Sequence, residues 1–235
     1  MSEISVYSQQ ALGVFTPSSL IFKLVQPVSF NCPNFALALK VNSIEVDVAW
    51  YKNQIKVSHL NLFLKNKPNF DDLYLKPLFA KKDSLQSVKF LFVDIKSGGE
   101  DILVALNKLI AQYPDIFSTR IEDNSQQIKV VISGAVDRID LYNNYKLNYL
   151  FIDGRMSYIS LKFSTNIMPV ISANYASLNI NERKSLIQKA HKQNKLVRFW
   201  HTSDNTKTWE NLFELGVDII GVDKLVKFKF FLDQR

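Results

Sequence analysis

Short runs rich in β-branched and aromatic residues recur along the chain. Most are separated by stretches whose apolar residues repeat every three or four positions. The runs are LIFKLVQPVSF (20–30), SIEVDVAWY (43–51), VKFLFVDIK (88–96), IKVVISG (128–134), NYLFIDGR (148–155), MPVISANY (168–175), KLVRFWHT (195–202) and VDIIGVD (217–223). They are nearly continuous in apolar character, as expected of parallel strands covered on their outer face. Between them, EDILVALNKLIAQY (100–113), AVDRIDLYNN (135–144), NERKSLIQKAHKQN (181–194), NTKTWENLFELG (205–216) and KLVKFKFFL (224–232) read as helices. Asn181 is the expected N-cap of the third and Gly216 the expected end of the fourth. NFALALK (34–40) lies between the first two runs, and NQIKVSHLNLFLKNKPNFDDLYLKPLF (53–79) reads as an excursion after the second. Eight strands, most followed by a helix, predict an α/β fold, a TIM-type (β/α)8 barrel imperfect near its N-terminus.

Composition narrows this picture only in part. A chain of 235 residues, 47% hydrophobic, is long enough for one large core, and barrels of this size are commonly one domain. A single domain over residues 1–235 is expected, with 1–20 as an extended N-terminal segment. The net charge of +7 favours anionic partners. The lysines are scattered, and no stripe of interleaved basic and aromatic residues appears, so nucleic acid is not an expected partner. Cys32 is the single cysteine, which rules out an intrachain disulfide and an all-cysteine metal site. No apolar run is long enough to span a bilayer. The N-terminus lacks a signal-peptide pattern, so a cytoplasmic location is expected.

In such barrels the chemistry lies at the C-terminal ends of the strands. The polar residues there are Glu45, Asp47, Asp94, Lys96, Ser133, Asp153, Arg155, Ser172, Asn174, Arg198, Trp200, His201 and Asp223. Glu45 and Asp47 share one face of their strand. Asp94 adds a carboxylate from the next strand, and three converging carboxylates suit a hard divalent cation, Mg²⁺ or Ca²⁺. An ordinary salt-bridge network with Lys96, Arg155 or Arg198 would use the same residues, and spacing does not separate the two.

SIEVDV, IKVSHL, LYLKPL, LFVDIKSGGE, VVISG, IDGR, VISANY, KAHKQNKLVRFWHTSDN and GVDIIGVDKL occur in that order from about Asn34 to the C-terminus. This series resembles the phospholipase C-like phosphodiesterase superfamily, which includes the glycerophosphodiester phosphodiesterases. It is most similar to the group named after the altered inheritance of mitochondria protein. The resemblance implies that Glu45, Asp47 and Asp94 are metal ligands, that His59 is a catalytic histidine and that Lys96 contacts the phosphate. It implies an aromatic wall at Trp200 and a polar strand end at Asn174, which with Arg155 and Arg198 make up the expected substrate-binding set. His191 reads as structural, and His201 as a weaker candidate for the site. The implied activity is metal-dependent hydrolysis of a glycerophosphodiester or phospholipid-like substrate.

One departure bears on activity. The family carries HSHNDY at the end of its first strand, where this chain has IFKLVQPVSFN with no histidine. The family's aspartate after its second histidine is also replaced, by Leu60. Half of an acid/base pair is therefore missing unless Gln26, Ser29 or Asn31 substitutes, and Val25, Gln26 or Val28 is expected to line that wall. Turnover is expected at least about a hundredfold below a two-histidine relative. The alternative is a non-catalytic barrel that keeps the mouth as an anion-binding or structural module.

Overall fold

The computed structural model describes residues 19–24, 42–122, 127–135 and 146–234. The strands are β1 (Ser19–Leu24), β2 (Ser43–Tyr51), β3 (Gln54–Val57), β4 (Phe90–Ile95), β5 (Lys129–Gly134), β6 (Leu150–Arg155), β7 (Val170–Asn174), β8 (Leu196–Trp200) and β9 (Ile219–Val222). Eight of them run parallel in the order β1-β9-β8-β7-β6-β5-β4-β2, and β1 also pairs with β2, so the sheet curls round on itself. This is the expected (β/α)8 barrel. The helices are α1 (Lys76–Ala80), α2 (Gly99–Ile110), α3 (Ile180–His191), α4 (Thr206–Glu214) and α5 (Leu225–Asp233). NFALALK and AVDRIDLYNN lie almost wholly outside the described residues. No helix among the described residues is long and apolar enough to cross a membrane.

Two cores result from the alternation of side chains along each strand. Outward-facing residues such as Ile44, Val46, Leu91 and Val93 pack in one large cluster with helix residues such as Ile102, Leu106, Leu186 and Trp209. Inward-facing Phe90, Phe92, Val131, Phe151, Val170 and Ile219 form a second cluster that plugs the barrel. Burial on both faces explains why most strands read as continuous apolar runs; β2 is the exception, with Ser43, Glu45 and Asp47 alternating on its inward face.

Local chemistry sets the element ends. Asn179, not the expected Asn181, caps α3. Its side chain accepts from the amides of Asn181 and Glu182 at 2.9 and 3.1 Å, and Glu182 accepts from the Asn179 amide at 2.8 Å. Asparagines stand at both positions, but only Asn179 has a glutamate three residues on to complete a capping box. Gly216 follows α4 with φ of 72°, the left-handed conformation that glycine adopts freely. The excursion after β2 begins as a β-hairpin, with β3 antiparallel to β2. Lys52 and Asn53 both take positive φ, 46° and 61°, as a two-residue type I′ turn requires. Between β6 and β7 a 3₁₀ segment, Met156–Leu161, stands where the β4–β5, β7–β8 and β8–β9 units have an α-helix.

Candidate active site

Above the apolar plug the barrel interior turns polar, and strand register explains which groups meet. The parallel pairing sets Glu45 beside Phe92, and Asp47 beside Asp94. Asp94 is in turn beside Ser133, and Ser172 beside Arg198. Neighbouring strands lie about 4.8 Å apart, so Asp47 and Asp94 become adjacent carboxylates. Glu45, one pleat below Asp47 on the same face, completes the group. Carboxylate oxygens of the three lie within 4.8 Å of one another. Glu45 and Asp47 are buried and Asp94 half-buried. Glu45 and Asp94 line a cleft of about 740 Å³ whose other walls include His59, Lys96, Ser133, Asp153, Arg155, Ser172, Arg198, Trp200, His201 and Asp223.

Lys96 Nζ bridges Asp47 Oδ1 at 3.1 Å and Asp94 Oδ2 at 2.9 Å. Burial works against its ammonium form. The hydrogen bond to Asp94 and the charges of Asp94 and Asp47 outweigh that and hold its pKa above the ordinary lysine value. Its two carboxylate partners thus favour the ammonium form. His59 follows β3 and turns its Nδ1 to Asp47 Oδ2 at 2.8 Å. An ionised carboxylate only accepts, so Nδ1 carries the hydrogen and Nε2 is left for proton exchange at the mouth.

Arg198 is 3% exposed and lies on the floor of the cleft. Its guanidinium meets Glu45 at 2.7 Å and Asp153 at 3.5 Å, and it sits over the Phe92 ring at 4.6 Å. Burial opposes its charge, but Glu45 and Asp153 keep the pKa above the usual arginine value. Ser172 donates to Asp153 at 2.5 Å. Asp153 and Ser172 are polar strand ends, and they prove to be the supports of Arg198.

These residues fit a hard divalent cation. The donor set is entirely carboxylate oxygen, as such ions prefer. Glu45 Oε2 and Asp47 Oδ1 are buried against cations without an aligned hydrogen bond, and the Oγ of Ser133, in register with Asp94, has no partner among the described residues. Among the described residues, the buried or half-buried charges of the cleft are Glu45, Asp47, Asp94 and Asp153 against Lys96 and Arg198, an excess of two carboxylates. A buried excess of negative charge is costly, and a dication would balance it.

The remaining expected residues divide. Trp200, 39% exposed, and Arg155, exposed, stand at the rim. His201 takes a left-handed φ of 57° and stacks on Trp200 with ring planes 9° apart, which puts it at the mouth as well. Asn174 does not join the lining. Its carboxamide accepts from the Ala176 amide at 2.9 Å and so starts the 3₁₀ turn Tyr175–Ser177. His191 ends α3 and meets Asp218 at 2.8 Å, away from the cleft. Val25, Gln26, Val28, Ser29 and Asn31 lie outside the described residues.

Gly134 is a site residue that the chemistry-bearing side chains did not reveal. Its φ is 90°, and a Cβ there would lie 2.2 Å from Asp94 Oδ1 and 2.2 Å from the Ile95 carbonyl oxygen. Only glycine lets β5 pass so close to that carboxylate. Gly134→Ala is therefore expected to displace Asp94 and cost about 1–3 kcal/mol in backbone strain alone. Chemical denaturation would measure the loss, and unchanged stability would mean that β5 relaxes freely.

No protein-family model matches the chain, and no curated protein matches it either. Solved structures do. A protein from Silicibacter pomeroyi assigned as a glycerophosphoryl diester phosphodiesterase superposes with a TM-score of 0.63 at 11% identity, covering 92% of this chain and 93% of its own. A glycerophosphodiester phosphodiesterase from Parabacteroides distasonis gives 0.59 at 12% identity, over 92% and 97%. A Ca²⁺-dependent phosphatidylinositol-specific phospholipase C from Streptomyces antibioticus gives 0.58 at 11% identity, over 90% and 95%. The chain shares the fold of these phosphodiesterases. At such identities the likeness concerns the barrel, and the site must be argued from this chain's own residues.

Proposed function

We propose that the protein is a divalent-cation-dependent phosphoric diester hydrolase acting on a glycerophosphodiester or phospholipid-like substrate, related to the altered inheritance of mitochondria group. The observation that carries this reading is the meeting of His59 and Lys96 with three clustered carboxylates at the C-terminal mouth of the barrel. Glu45, Asp47 and Asp94 would hold the cation, which when bound polarises the phosphoryl group and offsets its charge. Lys96, held as an ammonium, pairs with a non-bridging phosphate oxygen as negative charge develops there. Asp47 fixes the ring of His59, whose Nε2 takes a proton from the attacking oxygen or gives one to the leaving oxygen. Trp200 provides an apolar wall, and Arg155 meets the anionic substrate at the rim. Arg198 is assigned to positioning Glu45, and Asn174 to capping, so neither is retained as a substrate contact.

A second reading, a non-catalytic anion-binding barrel, is favoured by one observation: IFKLVQPVSFN supplies no partner histidine. Hydrolysis of bis-p-nitrophenyl phosphate, screened against divalent cations, separates the two. With a cation at a hundredfold excess over its Kd, stabilisation of about 2.7 kcal/mol is expected. For a chain of this size that raises the thermal midpoint by roughly 5–10 °C. Glu45→Gln should abolish most of the rise. Absence of a shift with Mg²⁺, Ca²⁺ and Mn²⁺, together with absence of turnover, would replace the hydrolase by the binding module.

A further inference from the structure

The loop that carries His59 does something the proton chemistry does not need. Among the described residues, Leu60, Leu62 and Phe63 are 59%, 58% and 82% exposed, and Phe63 is the most exposed large apolar side chain. Three such residues within four positions leave an apolar tip in solvent, next to a residue that lines the cleft. The segment is not loose. The Val57 amide bonds the Pro68 carbonyl at 2.9 Å and closes its base. Ser58 Oγ donates to the Leu60 carbonyl at 2.6 Å, and the Asn61 carboxamide donates to the Lys96 carbonyl at 3.2 Å. A 3₁₀ turn, Leu64–Asn66, follows. Phe63 itself has a φ of 54°, a left-handed conformation that a bulky residue rarely adopts. The loop is thus tied to the strand end that bears Lys96 while its apolar residues are turned outward.

Charge indicates what the tip meets. The charged residues of 58–67 are Lys65 and Lys67, with no acid among them. Three side chains are far too few for a protein interface, which takes roughly 800 Å² from each partner. They suffice for shallow entry into a lipid headgroup layer, where apolar burial and nearby lysines act together. The geometry points to loop 58–67 as the segment that seats the protein on an anionic phospholipid bilayer, so that the cleft takes its phosphodiester from a membrane-resident phospholipid. Leu60, Leu62 and Phe63 enter the headgroup boundary, and Lys65 and Lys67 meet the anionic headgroups. The choice of substrate rests on the phosphodiesterase reading above; the seating on the bilayer does not.

The test is cosedimentation of the full chain with vesicles of phosphatidylcholine alone and of phosphatidylcholine mixed with phosphatidylserine. Binding to the mixed vesicles is expected, weakening as salt is raised. The double variant Leu62→Ser, Phe63→Ser should bind at least about tenfold more weakly and hydrolyse bis-p-nitrophenyl phosphate in free solution as the parent does. Lys65→Gln with Lys67→Gln should remove most of the preference for phosphatidylserine. Failure of the parent to sediment with mixed vesicles, or binding that survives the double serine variant, overturns the proposal. Self-association abolished by that variant would do the same, by making a second copy the occupant. Vesicle binding without hydrolysis of any phosphodiester would uphold the seating and overturn the hydrolase.

Discussion

Replacing His59 by alanine is expected to lower phosphodiester turnover by about two to four powers of ten, the usual cost of losing a positioned acid or base. The ring is held by Asp47 at 2.8 Å beside the three clustered carboxylates. Asp94 and Asp47 favour the ammonium form of Lys96, which suits it to meeting phosphate charge and not to accepting a proton. The loss should fall on kcat more than on KM, since His59 acts on the transferring proton and not on the phosphate charge. Cation binding, read as the thermal shift, should persist because Glu45, Asp47 and Asp94 remain. Steady-state kinetics on bis-p-nitrophenyl phosphate measures the effect. Turnover unchanged in His59→Ala would show that other groups run the reaction.

The largest structural loss is expected from Arg198→Leu. Glu45 is 3% exposed, and its partner cation is buried with it. Removing one member of a buried pair leaves an uncompensated charge and costs about 3–5 kcal/mol, roughly 6–20 °C in the thermal midpoint of a chain this long. Asp153 loses a partner too. Adding Glu45→Gln to Arg198→Leu should recover part of the loss, because one unpaired carboxylate is then gone. The coupling between the two changes, read from thermal or chemical denaturation of the four proteins, isolates the pair. A midpoint within a degree or two of the parent for Arg198→Leu would mean that water reaches Glu45 and that Arg198 does not position it.

How much of this was legible in the sequence depends on how local each determinant is. The apolar runs predict the strands, and the parallel order follows from the helical stretches between them. Glu45 and Asp47 share a face by pleat alone, and Asp94 joins them once β2 and β4 are neighbours. Arg198 was harder to read. An arginine at a strand end looks the same in sequence whether it aims at a ligand or, as here, at acids across the barrel. Asn174 is a polar strand end whose side chain turns back to its own backbone, a local choice that asparagine makes often. The Lys52–Asn53 turn lacks the glycine that usually marks a type I′ hairpin, so in the sequence β3 is indistinct from the excursion that follows the second run. Gly134 carries no chemistry of its own, and its need is set by a carboxylate on another strand.

The Arg198–Glu45 contact also bears on the order of folding. Glu45 lies on the second strand of the chain and Arg198 on the eighth, so the two charges meet only after most of the polypeptide has left the ribosome. Until β8 arrives, the early strands carry Glu45 with no counter-charge from across the barrel. A compact form that buried them early would have to desolvate that carboxylate alone. The polar layer therefore penalises premature collapse of the N-terminal half and rewards closure of the whole sheet. Such long-range completion is slow, and it confines a working cleft to chains that have finished folding.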